Sequence, residues 1–118
     1  MAPRKTNPDF MNGVPELLIL QLLSAQEMYG YQLVRAIEEA TGERIKLGEG
    51  VVYPALHTLE RRGQLRARRK SFGGRTRIYY TATAAGKKRL KALVDNWSAI
   101  TNALAEVING GQPTPSLV

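Results

Sequence analysis

Between Arg61 and Val94 the chain carries twelve Lys/Arg residues and no Asp or Glu, and the stretch turns on Phe72-Gly73-Gly74. Unpaired charges of one sign are too costly to bury, so this stretch must lie largely on the surface. The double glycine supplies the backbone freedom of a tight reversal, which makes the middle of the window a hairpin with a basic tip. Twelve of the seventeen basic residues fall inside the window and all ten acidic residues outside it. A one-signed field on a hairpin and an adjoining helix end is what a phosphate backbone attracts. The alternative, a solvated basic face with no partner, ordinarily leaves acids interspersed. The net charge of +7 fits an anionic partner.

At 118 residues the chain is one domain, small enough to gain from dimerisation. The absence of cysteine rules out a disulfide framework and a cysteine-based metal site or nucleophile, which fits a reducing compartment. No apolar run approaches the ~18 residues of a membrane span, and no signal-like stretch opens the chain, so a cytoplasmic protein without membrane contact is expected. No nucleophile sits beside a base, no carboxylate pair stands in an apolar setting, and no glycine-rich loop follows a strand. Neither enzymatic activity nor a cofactor is expected.

Residues 1–12 mix Pro, Asn, Lys and Arg and read as a flexible arm. A first helix is expected from Pro15, since proline suits the first helical turn. Its run Leu17-Leu18-Ile19-Leu20-Gln21-Leu22-Leu23 is apolar nearly all round and needs cover on more than one side. Tyr29-Gly30-Tyr31 interrupts, and a second helix follows to about Thr41, with Leu33, Val34 and Ile37 inward and Gly42 as a left-handed cap. A third helix runs from about Gly50 to Arg62, because Pro54 must lie in its first turn. There Val52, Ala55, Leu56 and Leu59 make a core face, and Tyr53, His57, Glu60 and Arg61 another. Gly63 ends it. Gln64–Lys70 and Arg75–Thr81 read as two strands around Ser71-Phe72-Gly73-Gly74.

Thr83 then caps a long helix from Ala84 to about Asn109. Leu90, Leu93, Trp97, Ile100, Leu104 and Val107 recur in it at spacings of 3, 4, 3, 4 and 3, the alternation of a two-stranded helical seam. Such a helix spans about 40 Å, more than a domain of this size can cover. A symmetry mate is expected along it. Residues 110–118 read as a disordered tail.

Three short helices, a hairpin and a long helix describe a mainly α fold: a winged helix-turn-helix over 13–83 and a C-terminal dimerisation helix over 84–109. In that arrangement the third helix meets base edges in the major groove while the second helix and the wing hold phosphates. Tyr53 and His57 can hydrogen-bond or stack, Arg61 shares their face, and Lys46 stands just before the helix. Tyr29 and Tyr31 flank the start of the second helix, where a hydroxyl would meet phosphate, with at least one of the two expected in the core. Arg75 and Arg77 are the expected wing contacts; Arg68 and Arg69 add to the diffuse field. Tyr79 and Tyr80 point to opposite faces. The lone His57 lacks partners for a metal set.

The sequence resembles the PadR family of transcriptional regulators. The resemblance rests on Tyr29-Gly30-Tyr31-Gln32-Leu33, on Gly50-Val51-Val52-Tyr53-Pro54-Ala55-Leu56 with Leu59-Glu60, and on Gly73-Gly74-Arg75 with Tyr79-Tyr80 and Thr83. It spans about residues 14–109, and the single C-terminal helix is similar to the compact subfamily. Val51-Val52 departs from the Thr-Leu usual before the Tyr-Pro pair, which removes a hydroxyl able to cap the helix or touch phosphate. The resemblance adds Gln32, Gly50, Val51 and Pro54 to the DNA contacts. It implies a homodimer that represses from an inverted-repeat operator in double-stranded DNA, relieved by a small molecule. It also implies that Trp97, followed by Ser98, stacks a planar aromatic effector across the dimer interface, with Val14, Leu18, Leu22 and Leu93 walling the site. Plain interface packing by Trp97 stands as the alternative. For the whole chain the alternative is a basic winged-helix module that binds RNA or a protein partner without sensing a ligand.

Overall fold

A helix apolar on nearly every side needs cover on nearly every side, and the first helix has it. The computed structural model describes residues 8–110, with side chains from Gly13 onward; the expected arm lies outside the described residues over 1–7, and the tail over 111–118. Helix α1 (Pro8–Ala25) packs against α2 (Gly30–Ala40), α3 (Glu49–Arg61) and α4 (Ala84–Ile108). Its residues Ile19, Leu20 and Leu23 are buried, while Leu18 and Leu22 lie half-buried against the same core. Two expectations drawn from proline are corrected here: Pro54 lies inside α3, past its first turn, and α1 does not start at Pro15 but carries it in its interior. Proline there removes one N–H and crowds the preceding turn. Packing supports the earlier turn nonetheless, since Gly13 lies against the Leu93 side chain of α4.

Both short helices end on glycine in the left-handed region, as expected. After α2 the Gly42 N–H (φ +60) donates to the Glu39 carbonyl and the Glu43 N–H to Glu38; after α3 the Gly63 N–H (φ +77) donates to Glu60 and the Gln64 N–H to Leu59. These are paired closures of orphan carbonyls, which fix the exit direction of each helix. The wing is β2 (Leu65–Phe72) and β3 (Arg75–Ala82), in register from Leu65 opposite Ala82 to Phe72 opposite Arg75. Gly73 (φ +54) and Gly74 (φ +81) alone make the turn, so β2 runs through Ser71 and Phe72, which were expected in the loop.

A further strand, β1 (Met28–Tyr29), pairs antiparallel with β3 and makes a three-stranded sheet of order β1-β3-β2 where a two-stranded ribbon was expected. Two residues are too few to show a periodicity. The core joins α1, α2 and α3 to Leu65 and Tyr80 of the sheet, and α4 reaches it through half-buried Leu90 and Leu93. The particle is 59 Å long and 26 Å thin.

Candidate nucleic-acid interface

Helix α3 is presented by its ends. Gly48 (φ +71) caps its start, accepting from the Val52 N–H at 3.1 Å, and Gly63 closes the other end. Val52, Leu56 and Leu59 are buried, which turns Gly50, His57 and Arg61 to the opposite, exposed face. A methyl group built on Gly50 would meet nothing within 4 Å, so its backbone is open to close approach. Val51 is 44% exposed beside it. Pro54 is exposed on the flank that turns toward α1 and α4.

Tyr53 is placed differently. It is half-buried with its ring laid against Gly30, and burial pushes its hydroxyl pKa up. Lys46 is exposed in the link before α3, 3.6 Å from Glu43. At the start of α2 the Tyr29 N–H donates to Gln32 Oε1 at 3.3 Å, which gives Gln32 a helix-capping contact. Tyr31 is 47% exposed, and its hydroxyl accepts from Arg35 at 3.4 Å. No acidic side chain occupies the first turn of α2.

The wing has two unlike faces. Leu65, Ala67, Tyr80 and Ala82 turn to the core, and Tyr80, 4% exposed, has its hydroxyl pKa raised by burial. By strand alternation and register, Arg66, Arg68, Lys70, Phe72, Arg75, Arg77 and Tyr79 share the outer face, joined by Tyr29 opposite Tyr79. There Tyr29 and Tyr79 meet edge to face at 5.3 Å, and Phe72 meets Tyr79 at 6.4 Å. The Arg77 guanidinium lies 4.5 Å over the Tyr29 ring and the Lys70 ammonium 4.6 Å over Tyr79. Glu27, in the link between α1 and β1, accepts from Arg68 Nε at 3.1 Å and from Lys70. Those hydrogen bonds hold its carboxyl below the usual range, the Lys70 contact contributing most and Arg68 next. Sequence reasoning missed the Glu27 contact, because its partners stand 41 and 43 residues away.

The expected effector residues come together in part. A cavity of about 1040 Å³ between α1, α3 and α4 is lined by Val14, Leu18, Leu93 and Trp97, together with Ile100 and Asn96. Leu22 is not among its walls and packs on the core. At the rim Arg89 holds Glu16 through two guanidinium nitrogens at 3.1 and 3.3 Å, and this carboxylate raises the arginine pKa. The seam residues divide: Leu90 and Leu93 serve their own core, Ile100 is half-buried, and Trp97, Leu104 and Val107 are 37, 52 and 76% exposed. Among the described residues no group of three His, Cys, Asp or Glu could hold a metal ion, and no helix is long and apolar enough to cross a membrane.

Known proteins share the fold. The chain is 30% identical to a transcriptional regulator of Mycobacterium tuberculosis, Rv3488, over 90% of its own length and 94% of the relative's. A transcriptional regulator from Clostridium thermocellum superposes with a TM-score of 0.76 at 25% identity, covering 86% of this chain and 97% of that one. Bacillus subtilis PadR, solved in complex with operator DNA, superposes with a TM-score of 0.64 at 28% identity, covering 69% of this chain and 47% of that one. The sequence profile described as the transcriptional regulator PadR-like family matches residues 19–92. Members of this family are regulators of transcription and not enzymes, and with most of its length matched, the chain belongs to the PadR-like family of transcriptional regulators.

Proposed function

We propose that this regulator is a repressor that binds an inverted-repeat operator as a homodimer and is released by a small aromatic effector. The observation that carries the DNA reading is the outer face of α3. Gly50, Val51, His57 and Arg61 stand exposed on it, and the chain passes through Gly63 directly into a wing of basic residues. A helix with small residues near its start can approach base edges closely, while the cations of the wing hold phosphate. Tyr29 supports this by stacking on Arg77, which leaves the guanidinium edge free to donate to a phosphate. Tyr31, Gln32 and Lys46 contribute from the start of α2 and the link before α3. Tyr53 and Pro54 contribute through the packing that sets the pose of α3.

The dimer reading is supported by the exposed Trp97, Leu104 and Val107 on α4. The effector reading is supported by an apolar cavity that ends on Trp97. Selection of bound sequences from a random duplex pool tests the whole. An enriched inverted repeat with half-sites about one helical turn, or ~34 Å, apart is expected. Binding that enriches nothing and fades evenly with salt would instead favour an RNA or protein partner.

A further inference from the structure

The wing's cations are not equivalent, and an acid from outside the wing makes the difference. Glu27 reaches across from the end of α1 and meets Arg68 with both oxygens, at 3.1 and 3.4 Å, while also accepting from Lys70. The carboxylate is only 21% exposed and the Lys70 side chain 29%, with the ammonium resting over Tyr79. Arg66, Arg69 and Arg75 are exposed and have no acidic partner among the described residues. A phosphate reaching Lys70, or the Nε–Nη2 edge of Arg68, must break a two-cation contact with an anion already in place, although the Arg68 side chain as a whole is 63% exposed. A phosphate reaching Arg75, beside the turn, breaks nothing.

We propose that Glu27 is a positioning residue for DNA binding: it withholds Arg68 and Lys70 from phosphate and leaves the wing's outer-face contacts to Arg75 and Arg77. The inference rests on the reading above that the chain binds duplex DNA. In this arrangement Glu27 fixes the pitch of β2 against the α1–β1 link and lowers the positive field on one flank of the wing. Binding is thereby confined to the tip and the β3 residues beside it, which leaves the α3 face to decide sequence.

The test is a salt titration of the full chain on a mixed-sequence duplex, read by fluorescence anisotropy, with each variant's fold checked by circular dichroism. Each phosphate contact contributes about 0.9 to the slope of log K against log salt. Arg75→Ala is expected to flatten the slope by about that much, and Arg68→Ala to leave it unchanged. Glu27→Gln, which keeps the shape and frees both cations, is expected to steepen it by up to about 1.8 and to raise affinity at low salt. A merely structural role for Glu27 would do the reverse, lowering affinity and flattening the slope, and would overturn the proposal. So would an Arg68→Ala slope as flat as that of Arg75→Ala, a result independent of how Glu27→Gln folds. No duplex binding by the unsubstituted protein at low salt would overturn the DNA reading itself, and the two failures are thus distinguishable.

Discussion

Two glycines in helices show how differently one residue type is used in this chain. Gly86 lies in the first turn of α4, where a Cβ would overlap the carbonyl oxygen of Gln64, the same oxygen that accepts from the Thr83 N–H at 3.0 Å. That contact is backbone on backbone and cannot yield by a rotamer change. Replacing glycine by alanine inside a helix ordinarily gains about 1 kcal/mol. Here the overlap outweighs it, and Gly86→Ala is expected to cost about 1–3 kcal/mol, lowering the melting temperature by about 4 °C or more. Gly50→Ala, with open space around it, should leave the melting temperature unchanged or raise it slightly while weakening operator binding. Thermal unfolding of the two variants, with anisotropy on the second, tests both statements; equal melting temperatures would refute the first. Gly30 belongs with Gly86, since its missing Cβ is the seat of the Tyr53 ring.

At the scale of elements, the wing is a hairpin by sequence and a clamped sheet by structure. The double glycine and the β-branched and aromatic run Ile78-Tyr79-Tyr80 were legible because a two-residue turn and strand alternation are local properties. The strand β1 and the Glu27 contact were not, because the pairing of Tyr29 with Tyr79 and of Glu27 with Arg68 exists only after the chain has folded back. The clamp has a pH signature. Hydrogen bonds from Lys70 and then Arg68 depress the Glu27 carboxyl. A carboxyl with a depressed folded value contributes stability above its unfolded value, near 4.3, and loses it as pH falls through the folded one. The melting temperature of the unsubstituted protein should exceed that of Glu27→Gln at pH 7, and the gap should close as pH drops below about 4. A gap that persists undiminished in that range would mean the carboxylate's charge is not what holds the wing.

At the scale of the molecule, α4 is divided in function along its length. Leu90 and Leu93 are spent on the domain's own core, and Arg89 ties the same stretch to Glu16 of α1. From Trp97 onward the helix shows Leu104, Val107 and Ile108 at 52, 76 and 80% exposure. Exposed leucine, valine and isoleucine in line on one long helix call for a covering partner. In the proposed homodimer a second copy of the helix would meet the need with the same residues. Leu104→Asp places a charge in that stripe beyond the reach of the core. Sedimentation should then show monomers, with operator binding weakened at least tenfold because each half-site is held by one subunit alone. An unaltered dimer would refute the proposed seam.

By itself the sequence determined the order and type of the long elements, the turn of the wing, the two glycine-closed helix ends and the sign of the surface. Each of these follows from residues within a few positions of one another: periodicity, capping, turn glycines and unpaired charge. Only the tertiary structure decided that α1 continues through Pro15, that Tyr53 seats on Gly30, that β1 completes the sheet, and that Glu27 takes two of the wing's cations. Those outcomes depend on groups that share no local pattern and meet only when the burial of Ile19, Leu20, Leu33, Ile37, Val52 and Leu56 in one core brings α1, the wing and α3 together.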